Sequence, residues 1–242
     1  MYTADRFVAH RGYARHYPEN SLTAITAAIN AGAVCVELDI QFSKDGVPVL
    51  YHDVSLRRVS GLSGTVFDYT AAELVEMPAS EPGRFADRFR DVPISLAEEF
   101  AHLVAVKSRV HFYVELKEES SARFGADYCL ENLSGIFAPV MDQITLISDD
   151  HAAILQAKER FGFSRTGIVF RDWARRDALI DAFQADIAYI NIRRIPLRAA
   201  IQAACPIAVY EIDNSKKAAR ILERGAAKVE SFAIGELIEA LC

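Results

Sequence analysis

The chain has 242 residues, 51% of them apolar and 25% charged, with only 12 glycines. That composition excludes a disordered or collagen-like chain and allows one large hydrophobic core. A formal charge of -6 offers no basic surface for nucleic acid, so no nucleic-acid partner is expected; a local cationic site for one phosphate stays open.

The first twenty residues, MYTADRFVAHRGYARHYPEN, reach charged side chains before any apolar run can form. They carry neither a signal-peptide core nor the length of a membrane span, so a cytoplasmic protein without a span is expected. Four cysteines (Cys35, Cys129, Cys205 and Cys242) lie far apart, without metal-ligand or redox spacing. They read as buried, reduced thiols.

The first strand candidate, RFVAH (6–10), ends in His10-Arg11-Gly12. NSLTAITAAINAG (20–32) follows as a helix, with Asn20 as its expected N-cap and Gly32 as its stop. The second strand, VCVELDI (34–40), holds two acids. Alternate side chains of a strand point to opposite faces, so Glu37 and Asp39 share a face, roughly 7 Å apart along the backbone. Two inward carboxylates repel and lose solvation unless positive charge lies between them.

A tight turn, SKDG, and a short extended piece, VPVLY, lead to His52-Asp53. Residues 53–94 then break the pattern: they are rich in turn residues and too long for an ordinary connection. They read as an insertion with at least one helical turn, TAAELVEM, capped by Thr70. After the helix SLAEEFAHLVAVK, the strand VHFYVELK repeats the parity argument and turns Glu115 and Lys117 toward the same interior as Glu37 and Asp39. Three converging carboxylates suit a hard cation such as Mg²⁺ or Ca²⁺. A simple pair between Lys117 and Glu115 is the alternative reading of that lysine.

The strands QITLI, TGIVF, DIAYIN, PIAVY and AKVES follow, separated by helices such as DHAAILQAKERFG, ARRDALIDAFQ and SKKAARILERG. Strict alternation implies parallel strands covered by helices. Eight strands in this length match a single-domain (β/α)8 TIM barrel over 1–242, with a doubly wound open sheet as the alternative. A barrel places its active site at the C-terminal strand ends. There His10, Arg11, Glu37, Asp39, His52, Glu115 and Lys117 collect, with Ser148, Asp149, Asp150, Tyr210 and Glu211 from the later strands.

The segments HRGYARHYPENS (10–21), VELDIQFSKDGVPVLYHD (36–53) and VELK (114–117) closely resemble the signature segments of the glycerophosphodiester phosphodiesterase family. That family is similar in fold to the phosphatidylinositol-specific phospholipases C, within the PLC-like phosphodiesterase superfamily. The resemblance covers the first half of the chain and includes the insertion after His-Asp. It implies a TIM-barrel hydrolase that cleaves glycerophosphodiesters to glycerol 3-phosphate and an alcohol. Glu37, Asp39 and Glu115 would be metal ligands, His10 and His52 the acid-base pair, and Arg11 and Lys117 phosphate contacts. Tyr210 would line the alcohol pocket or fill the barrel top.

The second half departs from the family pattern at Asp149, Tyr210, Glu211 and Phe232, around the alcohol pocket. The alternatives are a related lipid-headgroup phosphodiesterase, of lysophospholipase D or phospholipase C type, and a catalytically silent phosphate-binding barrel. The insertion is expected to act as a specificity lid.

Overall fold

Nine strands form: β1 (Phe7–Ala9), β2 (Cys35–Phe42), β3 (Pro48–Leu50), β4 (His111–Leu116), β5 (Ile144–Ser148), β6 (Thr166–Phe170), β7 (Ile187–Asn191), β8 (Ile207–Tyr210) and β9 (Lys228–Ser231). In the computed structural model, which describes residues 1–242, all but β3 pair in parallel. The ladder runs β2-β4-β5-β6-β7-β8-β9-β1 and closes where Ala9 of β1 pairs with Val36 of β2. This is the eight-stranded TIM barrel, not the open sheet. The strand β3 is an addition, antiparallel to the end of β2 with Ile40 opposite Leu50.

The alternation within each strand separates two cores. Val36, Leu38 and Ile40 of β2, with Phe112, Val114 and Leu116 of β4, join a cluster of 47 buried residues against the helices. Val8, Cys35, Tyr113, Ile147, Val169, Ile187, Tyr189 and Ala208 form a cluster of only eight inside the barrel. Most apolar burial, the main favourable contribution to folding, therefore lies between barrel and helices. The interior parity set is left to carry polar groups at its C-terminal end.

The helix Leu22–Asn30 is capped by Ser21, whose Oγ accepts the Ala24 N–H at 3.0 Å. The expected cap, Asn20, instead adopts φ of 54° and sends its side chain to Asp39. Gly12 is needed at the turn after β1. Its φ is +80°, and a Cβ there would lie 2.6 Å from the Ala24 carbonyl carbon. Gly12→Ala is expected to cost about 3 kcal/mol through strain and overpacking together. A urea midpoint within error of wild type would contradict this.

Within the insertion, Leu56, Val59, Val66, Leu74, Ala79 and Ile94 pack with Val49 and Tyr51 as a separate small core. Thr70 does cap its helix, in a reciprocal box with Glu73. The thiol expectation needs correction. Cys35 and Cys129 are buried, but Cys205 only packs against the edge of the main core and is half-buried, and Cys242 is exposed. No helix is long and apolar enough to cross a membrane.

Candidate active site

The C-terminal strand ends enclose a cavity of about 290 Å³ lined by His10, Arg11, Glu37, His52, Glu115 and Lys117. Its other wall includes Asp149, Arg171, Asn191, Tyr210, Glu211 and Glu230. Most of these residues continue the interior parity of their strands: His10 follows Val8, Asp149 follows Ile147, Arg171 follows Val169, and Tyr210 follows Ala208.

Asp39 is the hub. Arg11 Nε lies 3.0 Å from its Oδ2 and Lys117 Nζ 3.5 Å from its Oδ1. Asn20 grips it twice, donating from Nδ2 at 2.8 Å and accepting the Asp39 N–H at 2.9 Å. Burial alone would raise the Asp39 carboxyl, but Arg11 and Lys117 hold it below the ordinary carboxylate range. Lys117 also donates to Glu115 Oε1 at 2.7 Å, so the alternative pairing is real and coexists with a place in the cavity wall. Both Arg11 and Asn20 occupy left-handed backbone conformations, with φ of 56° and 54°. Such strain costs about 1–3 kcal/mol per residue and persists only where surrounding contacts over-determine it.

Glu37 is treated differently. It accepts the Arg11 N–H at 3.1 Å through Oε2, while its Oε1 is buried without a partner. Burial, then the neighbouring Asp39 and Glu230 charges, push its carboxyl well above the usual range. One donor atom each from Glu37, Asp39 and Glu115 lie within 4.8 Å of one another. An orphaned buried oxygen in an all-oxygen set of this size fits a hard divalent cation.

His52 Nδ1 is 2.6 Å from Asp53 Oδ1. That contact fixes the Nδ1–H tautomer and leaves Nε2 as the nitrogen available to a ligand. His10 is buried and stacks face to face on Phe232, centroids 4.3 Å apart. Its Nε2 lies 3.9 Å from Glu37 and 3.2 Å from Glu230. Burial, then Arg11, lower its pKa well below that of free histidine.

Residues 10–229 match the Glycerophosphoryl diester phosphodiesterase family. The chain belongs to that family. It is 39% identical over 112 residues to a glycerophosphodiester phosphodiesterase of Bacillus altitudinis, covering 46% of this chain and 45% of that one. It is 40% identical over 92 residues to mouse glycerophosphodiester phosphodiesterase 1, covering 38% and 28%. The aligned segments thus span less than half of either relative. Two solved structures share the fold. A phosphodiesterase of Oleispira antarctica, in complex with the product sn-glycerol-3-phosphate, superposes with a TM-score of 0.83 at 19% identity over 98% of this chain and 96% of that one. A glycerophosphodiester phosphodiesterase of Agrobacterium tumefaciens gives 0.78 at 22% over 97% and 99%.

The family match leaves the insertion to be read from its contacts. No residue of 53–94 lines this cavity, but Arg58, Glu81 and Arg84 line an adjoining one that shares Arg11 with it. Arg58 grips Glu19 with two nitrogens at 2.6 and 2.7 Å and reaches Asp53 at 2.7 Å. Glu19 accepts from Arg11 Nη1 at 2.8 Å, and its own N–H donates to Glu81 Oε2 at 2.9 Å. The insertion is a brace behind Arg11 and His52. Arg58→Ala is expected to lower kcat roughly 10-fold or more, equally on glycerophosphocholine and on a small nitrophenyl diester. A loss confined to glycerophosphocholine would favour the lid.

Glu230, Arg171 and Asn191 were not singled out from sequence. For Glu230 the signal was present: in AKVES, Lys228 and Glu230 share one parity and Val229 and Ser231 the other. Arg171 and Asn191 continue the interior parity of Val169 and Tyr189, one just past the end of β6 and one at the end of β7, so the same rule reaches them.

Proposed function

We propose that the chain hydrolyses glycerophosphodiesters to glycerol 3-phosphate and an alcohol. The observation that carries this reading is the convergence of two histidines, a buried carboxylate set and two cations on one cavity. A divalent ion, Mg²⁺ or Ca²⁺, held by Glu37, Asp39 and Glu115 would offset charge on a phosphoryl oxygen and on the attacking oxygen.

The chain's own residues do the rest. Arg11 and Lys117 enter the cavity already positioned by acids, so they present fixed positive charge to the diester without reorganising. His10 takes the proton from the attacking hydroxyl, of water directly or of the substrate's own glycerol; in the second case the alcohol leaves with formation of a cyclic phosphate, which water then opens to glycerol 3-phosphate. His52, its tautomer set by Asp53, delivers a proton to the leaving alkoxide as the P–O bond breaks. Tyr210, Asn191, Glu211 and Arg171 face the alcohol. Product analysis tests the reading. Glycerophosphocholine should yield glycerol 3-phosphate and choline; phosphocholine and glycerol would overturn it, as would turnover of lysophospholipid alone.

A further inference from the structure

Glu230 has no part in that chemistry, yet it lies inside the barrel at 2% exposure. Its Oε1 meets only His10 Nε2, at 3.2 Å, and its Oε2 is buried with no partner. The cations nearby are committed elsewhere: Arg11 to Asp39 and Glu19, Lys117 to Glu115 and Asp39. A single cation among Glu37, Asp39 and Glu115 would still leave Glu230 Oε2 without a partner.

His10, Glu37 and Glu230 each offer a donor atom, all within 4.8 Å of one another. All three residues are more than nine-tenths buried. Glu37 Oε1 and Glu230 Oε2 are both buried without a partner, so the cluster holds unused ligand atoms. The ligand atoms of a tetrahedral zinc site, with bonds of about 2.0–2.2 Å, stand about 3.4 Å apart. The distances from His10 Nε2, 3.2 Å to Glu230 and 3.9 Å to Glu37, bracket that spacing. The donor set also differs in kind from the all-oxygen one beside it. Imidazole nitrogen with carboxylate suits a borderline ion such as Zn²⁺ rather than Mg²⁺ or Ca²⁺.

We propose that His10 Nε2, Glu37 and Glu230 form a second divalent-cation seat of the Zn²⁺ class, sharing Glu37 with the first, and that filling it inhibits the enzyme. Inhibition follows because a ligated Nε2 has no lone pair with which to accept a proton. The inhibitory consequence rests on the part given to His10 under the proposed function; the binding does not.

The test is equilibrium dialysis against Zn²⁺ with Ca²⁺ saturating, beside a Zn²⁺ inhibition curve. Wild type should bind one equivalent of Zn²⁺ that Ca²⁺ does not displace, and should be inhibited as that equivalent fills. Glu230→Gln, its fold checked by circular dichroism, should lose the equivalent, and its inhibition constant, read against its own Zn²⁺-free rate in Ca²⁺, should rise at least about 10-fold. Wild type that binds no such equivalent overturns the proposal, with no variant required. So does Glu230→Gln with unchanged stoichiometry and inhibition, which would place Zn²⁺ at the first seat. Should Glu230→Gln fail to fold, Glu230→Leu serves for the same comparison. Dialysis uses no substrate, so its outcome is separate from any failure of the hydrolase reading.

Discussion

Replacing His52 with alanine is expected to lower kcat on glycerophosphocholine roughly 10²-fold or more, with the fold intact. The ring lies at the cavity rim and its Nδ1 is tied to Asp53 at 2.6 Å. Its loss removes one proton donor without opening the core. Choline leaves as a poorly stabilised alkoxide and needs that proton, whereas nitrophenolate does not. A nitrophenyl diester should therefore recover much of the lost rate in His52→Ala. His10→Ala should fall comparably and show no such recovery, because His10 lies deep beside Glu37 at 3.9 Å, where the attacking hydroxyl must lose its proton. Equal recovery in both variants, or in neither, would reject the division of acid and base between them.

The second large effect is expected at Asp39. Asp39→Asn keeps the shape but removes the charge that balances Arg11 at 3.0 Å and Lys117 at 3.5 Å, both largely buried. Breaking one side of a buried ionic cluster costs about 3–5 kcal/mol. Asparagine retains some hydrogen bonding, so about 3 kcal/mol is expected here, accompanied by a fall in kcat of roughly 10²-fold or more. Urea unfolding should show the stability loss in chelator, since the cluster with Arg11 and Lys117 exists without metal. Wild type should gain further stability on adding Mg²⁺ or Ca²⁺, as a ligand of the native state must provide. Asp39→Asn should lose most of that gain. An unchanged midpoint together with an unchanged metal-dependent gain would remove Asp39 from both parts.

What the sequence revealed about this site followed from the two-residue period of a strand. Cys35, Glu37 and Asp39 in β2, and Tyr113 and Glu115 in β4, separate cleanly from Val36, Leu38, Val114 and Leu116. The structure places those sets in the barrel interior and the helix-facing core. The barrel follows from the same alternation repeated eight times. What escaped depends on contacts distant in sequence. Glu81 meets Glu19 across 62 positions, and Arg58 meets it across 39. Nothing local in RVSGLSG or ASEPGR marks either as a brace. Asn20 shows a different failure: its residue type and position suit an N-cap, but Ser21 takes that place, and the amide serves Asp39 instead. Glu230 obeyed the parity rule in AKVES and would have been found by it.

The most direct measurement is release of glycerol 3-phosphate from glycerophosphocholine by enzyme stripped of metal, then resupplied with Mg²⁺ or Ca²⁺. In the proposed function the diester's charge is offset only when a cation held by Glu37, with its orphaned oxygen, Asp39 and Glu115 joins Arg11 and Lys117. The stripped enzyme should release no glycerol 3-phosphate, and either ion should restore turnover. Full activity in excess chelator would contradict the account.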